Sequence, residues 1–364
     1  MVTNRGGLAS SYWERGTFAD RLALRRSLYP TRSSESLDLF SRLQSAQKIL
    51  VAPSDRAGGL FLASSVYSSL RRSYPQADLR LLVHPGLGPL ASLIPFFDEL
   101  IECDLGLSLG AKETRSLCAS LRKEQFDLTF CLGTDCSFRL AQICHYSGAG
   151  LCIGYARPFG PSFNIEMAVP SIARSEPDLY RVMLETIGLQ EGEVWDWMLP
   201  QDTVSDSQVR APSVGLDMGS DNSRFRPLRD LFGVIPLLED RGLRPVIFFS
   251  LANGRAVNYL RKNFGDRLDY VDKGETLQAA HRLRHCTALV ATNVDLLHAA
   301  IALKVPAVAL VQGDETRFFD LSSPRIVCLK QTQGRELVPS VMGALEELKQ
   351  RVEGAQCGDM VKEH

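Results

Sequence analysis

Short runs of apolar residues alternate with longer amphipathic segments over most of this chain. The runs lack the apolar–polar alternation of a half-exposed strand, which indicates strands buried on both faces of a parallel sheet. In the first half we predict strands at 48–52, 79–84, 98–103, 126–132 and 151–155, with helices at 60–73, 115–123, 137–146 and 177–187. In the second half we predict strands at 213–218, 244–250, 267–272, 288–293, 306–311 and 325–330, separated by helices. The pattern predicts an α/β protein with two doubly wound halves.

A polar, Pro-containing stretch around residues 199–213 interrupts the pattern and indicates a linker. The predicted organisation is an N-terminal extension (1–46), a first domain (47–200), the linker (201–212), a second domain (213–354) and a tail (355–364). Ligands of doubly wound sheets bind outside the carboxyl ends of the strands. The main site is therefore predicted in a cleft between the two halves.

The composition limits the classes of partner. The chain has 364 residues, a formal net charge of -1 and 45% hydrophobic residues, which gives no reason to expect nucleic acid as a partner. No apolar run reaches the roughly 18–20 residues that span a bilayer, and the N-terminus lacks the apolar segment of a signal peptide. Nine scattered cysteines fit free thiols. We therefore expect a cytoplasmic protein.

The N-terminal extension is basic, and residues 18–28, FADRLALRRSL, have the pattern of a short basic amphipathic helix. Such a helix could touch the inner face of the cytoplasmic membrane or a partner protein. The other interpretation is a solvated helix packed on the body of the protein.

Two strand-to-helix turns carry candidate chemistry. In the first, Gly58 and Gly59 follow the strand at 48–52, and adjacent glycines let a ligand or another backbone approach closely. In the second, Asn293 and Asp295 stand where a helix begins, so backbone N–H groups and the helix dipole would face an anion. Neither half contains the glycine-rich fingerprint of a dinucleotide dehydrogenase or a P-loop.

The first turn contains Asp55, Arg56 and Gly58, and Tyr74-Pro75 follows later in the chain. This arrangement resembles the start of the ADP-heptose:lipopolysaccharide heptosyltransferases, glycosyltransferase family 9. The family places an Asp, regarded as the general base, at the position of Gly59. Because glycine cannot take a proton, another carboxylate would have to substitute. Asp55 and Asp135 are candidates, since both would lie near the carboxyl ends of strands. Each could instead be a turn-capping aspartate.

The second half resembles the donor-binding segments of the same family. Arg224 matches its phosphate-binding lysine, although a surface arginine at a helix start is an equal alternative. Thr276 lies in a stretch like its G-K-T-S-L sequence. Aligned on the shared His298, Asn293 replaces the family's Asp, and Asp295 replaces its Gly. His298 itself is either a ligand contact, as the resemblance implies, or an ordinary helix residue. Asp295 would repel a diphosphate or would simply cap the helix.

The resemblance implies the GT-B architecture and metal-independent, inverting transfer of a sugar without a cofactor. The donor would be a nucleotide-sugar, ADP-heptose in the type case, and the acceptor a lipopolysaccharide-core or related glycan or glycolipid. Two hypotheses stay open. One is an active glycosyltransferase with an atypical site, and the other is an inactive relative that serves as a binding or scaffolding partner in glycan assembly.

Metal binding is not predicted. Four cysteines lie too irregularly for a metal site and fit buried apolar positions instead: Cys131, Cys136, Cys144 and Cys152. His281 and His285 share one predicted helix face but lack a third ligand.

Overall fold

The computed structural model describes residues 39–53, 56–104, 112–133, 138–156, 163–168, 175–192, 197, 199, 212–219, 231–250, 253–311, 323–330 and 336–360. The chain divides into two compact units, residues 1–195 and 196–364. The predicted linker lies outside the described residues apart from Pro212, and so does the predicted helix at 18–28. No helix in the described part of the chain is both long and apolar enough to cross a membrane.

The first unit is built on a six-stranded sheet in the order β3-β2-β1-β4-β5-β6, in which all neighbours are parallel. Its strands are Lys48–Ala52 (β1), Asp78–Val83 (β2), Glu99–Glu102 (β3), Leu128–Cys131 (β4), Leu151–Tyr155 (β5) and Ile165–Met167 (β6). Its helices are Leu39–Gln44 (α1), Ala57–Leu62 (α2), Ser64–Ser73 (α3), Gly88–Ala91 (α4), Lys112–Glu124 (α5), Phe138–Tyr146 (α6) and Glu176–Thr186 (α7). β1, β4 and β5 are almost wholly buried, as their unbroken apolar sequences predict.

The second unit repeats this plan with a sheet in the order β12-β11-β10-β7-β8-β9, again parallel throughout. Its strands are Ser213–Asp217 (β7), Arg244–Phe249 (β8), Asp269–Asp272 (β9), Cys286–Ala291 (β10), Ala307–Val311 (β11) and Ile326–Lys330 (β12). Its helices are Val234–Glu239 (α8), Gly254–Phe264 (α9), Thr276–Arg284 (α10), Val294–Ala302 (α11) and Leu337–Met360 (α12). An apolar core joins β7, β8, β10, β11, α8 and α12.

Both sheets have the strand order of a Rossmann fold, so the predicted fold class is confirmed. In such a sheet the chain winds first to one side and then to the other, and the change of direction defines a switch point. The switch point lies between β1 and β4 in the first unit and between β7 and β10 in the second. Ligands of this fold class bind outside the carboxyl ends of these strands.

Several elements differ from the predictions. The helix predicted at 60–73 is two helices, because Ala63 leaves helical geometry with ψ near 7° and ends α2 before α3 begins. β6 was not predicted, since three residues are too few to show a pattern. Part of the predicted N-terminal extension packs on the first unit, where α1 buries Leu43 and Arg42 donates a hydrogen bond to the carbonyl of Gly150 (3.0 Å). α12 continues to Met360, into the predicted tail.

Candidate functional site

The switch point of the second unit brings together the ends of two neighbouring strands. β7 ends at Asp217, and β10 ends at Ala291 and is followed by Thr292 and Asn293. The register pairs Leu216 with Val290, so the residues after both strands meet at the same edge of the sheet. This edge contains the turn that the sequence singled out as an anion site.

The Asp217 side chain fills this edge with a fully buried carboxylate. Its Oδ2 accepts hydrogen bonds from the backbone N–H of Thr292 (3.1 Å), the hydroxyl of Thr292 (3.1 Å) and the backbone N–H of Asn293 (2.9 Å). The first N–H groups beyond β10 are therefore already bonded within the protein. Asp217 was not among the predicted site residues, although an Asp that ends an otherwise apolar strand is a signal visible in the sequence.

Lys273 provides the positive charge for this carboxylate. It follows β9, and its ammonium donates to Asp217 Oδ1 (2.5 Å) and to the carbonyl of Gly219 (2.7 Å). Only 14% of the Lys273 side chain is exposed, so the pair is shielded from water. A buried charge is tolerated where it is both paired and hydrogen-bonded, as here. We call the group of Asp217, Lys273, Thr292 and Asn293 the switch-point cluster.

Four of the five predicted donor residues are among the described residues. The Asn293 side chain accepts a hydrogen bond from the N–H of Leu296 (3.0 Å) and caps α11, while Asp295 occupies the first turn of that helix. Thr276 is half-buried at the first position of α10. His298 is fully buried within α11. Contact of these four residues with a donor stays a prediction.

In the first unit, Arg56 marks the start of α2, and Gly58 and Gly59 are buried in its first turn. The guanidinium of Arg56 lies 3.9 Å from the carboxylate of Glu176, whose side chain is 2% exposed. Glu176 stands in the first turn of α7, where Ser175 and Asp178 form a capping box. Glu176 was not among the predicted site residues, because an acidic residue in the first turn of a helix is common.

Three predicted site residues, Asp55, Asp135 and Arg224, lie outside the described residues. Within the described ranges no group of three or more His, Cys, Asp or Glu residues could hold a metal ion. Cys131, Cys144 and Cys152 are buried, as predicted for apolar positions.

Comparison with known proteins agrees with the fold of the two units. No family model matches the chain. The chain is 27% identical over 293 residues to lipopolysaccharide heptosyltransferase 2 of Escherichia coli K12. The alignment covers 72% of this chain and 82% of that protein. A solved glycosyltransferase of family 9 from Veillonella parvula superposes with a TM-score of 0.67 at 18% identity, over 83% of this chain and 90% of that one. The solved E. coli heptosyltransferase WaaC with ADP gives a TM-score of 0.66 at 13% identity, over 83% and 99%.

Two parallel sheets of Rossmann order and these superpositions define a GT-B-like fold of the heptosyltransferase type. Within that class the chain resembles the lipopolysaccharide heptosyltransferases of glycosyltransferase family 9, to which it is distantly similar in sequence. The resemblance predicted from the sequence motifs is therefore confirmed.

Proposed function

We propose that this protein is a glycosyltransferase of the heptosyltransferase type, which transfers a sugar from a nucleotide-sugar to a lipopolysaccharide-core or related glycan acceptor. The observation that carries the proposal is the strand–turn–helix of residues 286–302 at the switch point of the second sheet. It lies in a chain of which 72% aligns with a curated heptosyltransferase. ADP-heptose is the first donor to test, since WaaC was solved with ADP.

In this proposal the second unit binds the donor and the first unit binds the acceptor. Thr276, Asn293, Asp295 and His298 contribute to the donor pocket, and Arg224 binds its phosphates. An arginine can hold a diphosphate in bidentate fashion. The transfer needs neither a metal ion nor a cofactor.

On the acceptor side, the turn of Arg56, Gly58 and Gly59 lies beside the acceptor hydroxyl. Since Gly59 has no side chain, Asp55 takes the proton, with Asp135 as the second candidate. Glu176 holds the guanidinium of Arg56 by their contact of 3.9 Å.

A second candidate function is a catalytically inactive relative that binds a partner in glycan assembly. Two observations favour it: the family's base position is Gly59, and the N–H groups of Thr292 and Asn293 are bonded to Asp217. We propose a cytoplasmic location for either function, with residues 18–28 as a contact to the membrane. Co-sedimentation with anionic vesicles tests this contact, and a version that lacks residues 1–45 should lose it.

The first experiment measures thermal unfolding with ADP, UDP, GDP, CDP and their sugar conjugates. A ligand at a hundred times its Kd stabilises the native state by about 2.7 kcal/mol. The second experiment measures nucleotide release from the stabilising donor in the presence of lipopolysaccharide-core acceptors. Acceptor-dependent release that Asp55→Asn abolishes would support the transferase. Absence of both a shift and release would favour the binding relative.

A further inference from the structure

The switch-point cluster has the chemistry of an occupied anion site. One carboxylate oxygen of Asp217 accepts two backbone N–H groups and a hydroxyl at 2.9–3.1 Å, and the other oxygen contacts an ammonium. A phosphate oxygen would use the same set of donors: successive N–H groups at the start of a helix, a threonine hydroxyl and a lysine. Here the occupant is part of the chain.

This occupant competes directly with an anionic ligand. Each backbone N–H makes one strong hydrogen bond, and those of Thr292 and Asn293 are directed at Asp217. The Asn293 side chain takes a third N–H, that of Leu296, three residues further on. A diphosphate at this edge would also meet the carboxylate of Asp295 in the first turn of α11, and like charges repel.

Lys273 cannot compensate for this loss while Asp217 is present. Its ammonium is bonded to both Asp217 and the carbonyl of Gly219, and the aspartate neutralises its charge. A ligand phosphate would have to break a shielded ion pair before it could use Lys273. Exchange of the internal Asp217 carboxylate for a ligand phosphate gives little net free energy, since the same donors are hydrogen-bonded before and after the exchange.

We propose that Asp217, paired with Lys273, is a specificity-determining residue that excludes a ligand's diphosphate from the amides of Thr292 and Asn293. The ligand groups that the second unit accepts at this turn are then uncharged, such as a sugar or a nucleoside. This inference concerns the donor site of the proposed function and rests on that assignment. It does not require that the native protein be active.

The test removes the internal anion and offers an external one. Asp217→Ala removes the carboxylate and leaves a space of its size. The Lys273 ammonium, the Thr292 hydroxyl and two backbone N–H groups then surround that space as hydrogen-bond donors. Binding of pyrophosphate and ADP is measured by titration calorimetry at constant ionic strength, and thermal unfolding is followed with and without formate. We expect Asp217→Ala to bind pyrophosphate at least tenfold more tightly than the native protein, or about 1.4 kcal/mol. Formate should stabilise Asp217→Ala and leave the native protein unchanged.

A matched control is available in the first unit. Asp127 Oδ2 also accepts two successive backbone N–H groups, those of Gln47 (2.8 Å) and Lys48 (2.9 Å), but these hydrogen bonds are exposed. In Asp127→Ala water replaces the carboxylate, so neither pyrophosphate affinity nor formate stabilisation should change. If Asp217→Ala does not fold, Asp217→Asn keeps an acceptor oxygen without the charge. This variant should tighten pyrophosphate binding by a smaller factor, about threefold.

The outcomes separate this inference from the proposed function. If Asp217→Ala, or Asp217→Asn in its place, binds pyrophosphate no more tightly than the native protein, the inference is wrong. If in addition the native protein binds ADP and turns over its sugar conjugate, the proposed function is supported although the inference about Asp217 is wrong. A gain of binding in the variant supports the inference. Turnover by the native protein then decides whether it is an active transferase that holds the diphosphate elsewhere.

Discussion

Replacement of Lys273 by methionine should destabilise the second unit far more than loss of an exposed ion pair. Methionine keeps the length and apolar stem of the side chain but removes the ammonium. Asp217, which is fully buried, then loses its only cation among the described residues and keeps the hydrogen bonds from Thr292 and Asn293. The carbonyl of Gly219 loses its donor as well.

The size of the effect follows from burial. Removal of one partner of a buried ion pair costs roughly 3–5 kcal/mol, because the other charge stays in a poorly solvated place. The bonds from Thr292 and Asn293 stabilise the remaining carboxylate, so we expect about 3 kcal/mol, the lower end of that range. In the double variant Asp217→Asn/Lys273→Met the buried charge is gone. We expect a coupling energy between the two sites of about 2 kcal/mol.

The measurement must report on the second unit alone, since two units can unfold in separate transitions. Native-state hydrogen exchange of peptides from β10 and β11, read by mass spectrometry, gives the opening free energy of that unit. Glu347→Gln is the control: its partner Arg351 is 44% exposed, and an exposed pair of this spacing is worth about 0.3–0.5 kcal/mol. If Lys273→Met cost no more than Glu347→Gln, water would screen the buried pair and our account of the cluster would be wrong.

Three further predictions concern single residues. Asn293→Ala removes the side-chain acceptor of the Leu296 N–H and should cost about 1 kcal/mol in urea unfolding, while Asn293→Ser should retain most of the capping. Burial raises the pKa of the Cys286 thiol to about 11, so iodoacetamide at neutral pH should label it only after denaturation, as peptide mass spectrometry would detect. Burial also raises the pKa of Tyr155, which stabilises the neutral phenol in the folded state. The contribution of the Tyr155 phenol to the free energy of unfolding is complete below the unfolded pKa of about 10 and is lost as the pH rises above that value. In Tyr155→Phe the free energy of unfolding, measured against pH, should therefore fall less steeply at alkaline pH.

The amino-acid sequence determined the elements and the fold class. Strands such as β1, β4 and β10 are short apolar runs, and the parallel sheet that buries both of their faces allows few other residues. Helix ends were readable where a polar side chain caps the first turn, as Asn293 does for α11. The break at Ala63 was not readable, because residues on either side are compatible with helix.

The tertiary structure alone decided how the site is arranged. Asp217 bonds to Lys273 across 56 residues of chain and to Thr292 across 75, and no local pattern connects these positions. The sequence showed that the turn after β10 differs from the heptosyltransferase pattern. The fold showed that the carboxylate of Asp217, on the neighbouring strand, accepts the hydrogen bonds of the N–H groups in this turn. The physical reason is that hydrogen bonding at a switch point depends on which strand ends are adjacent, and strand order is a property of the whole sheet.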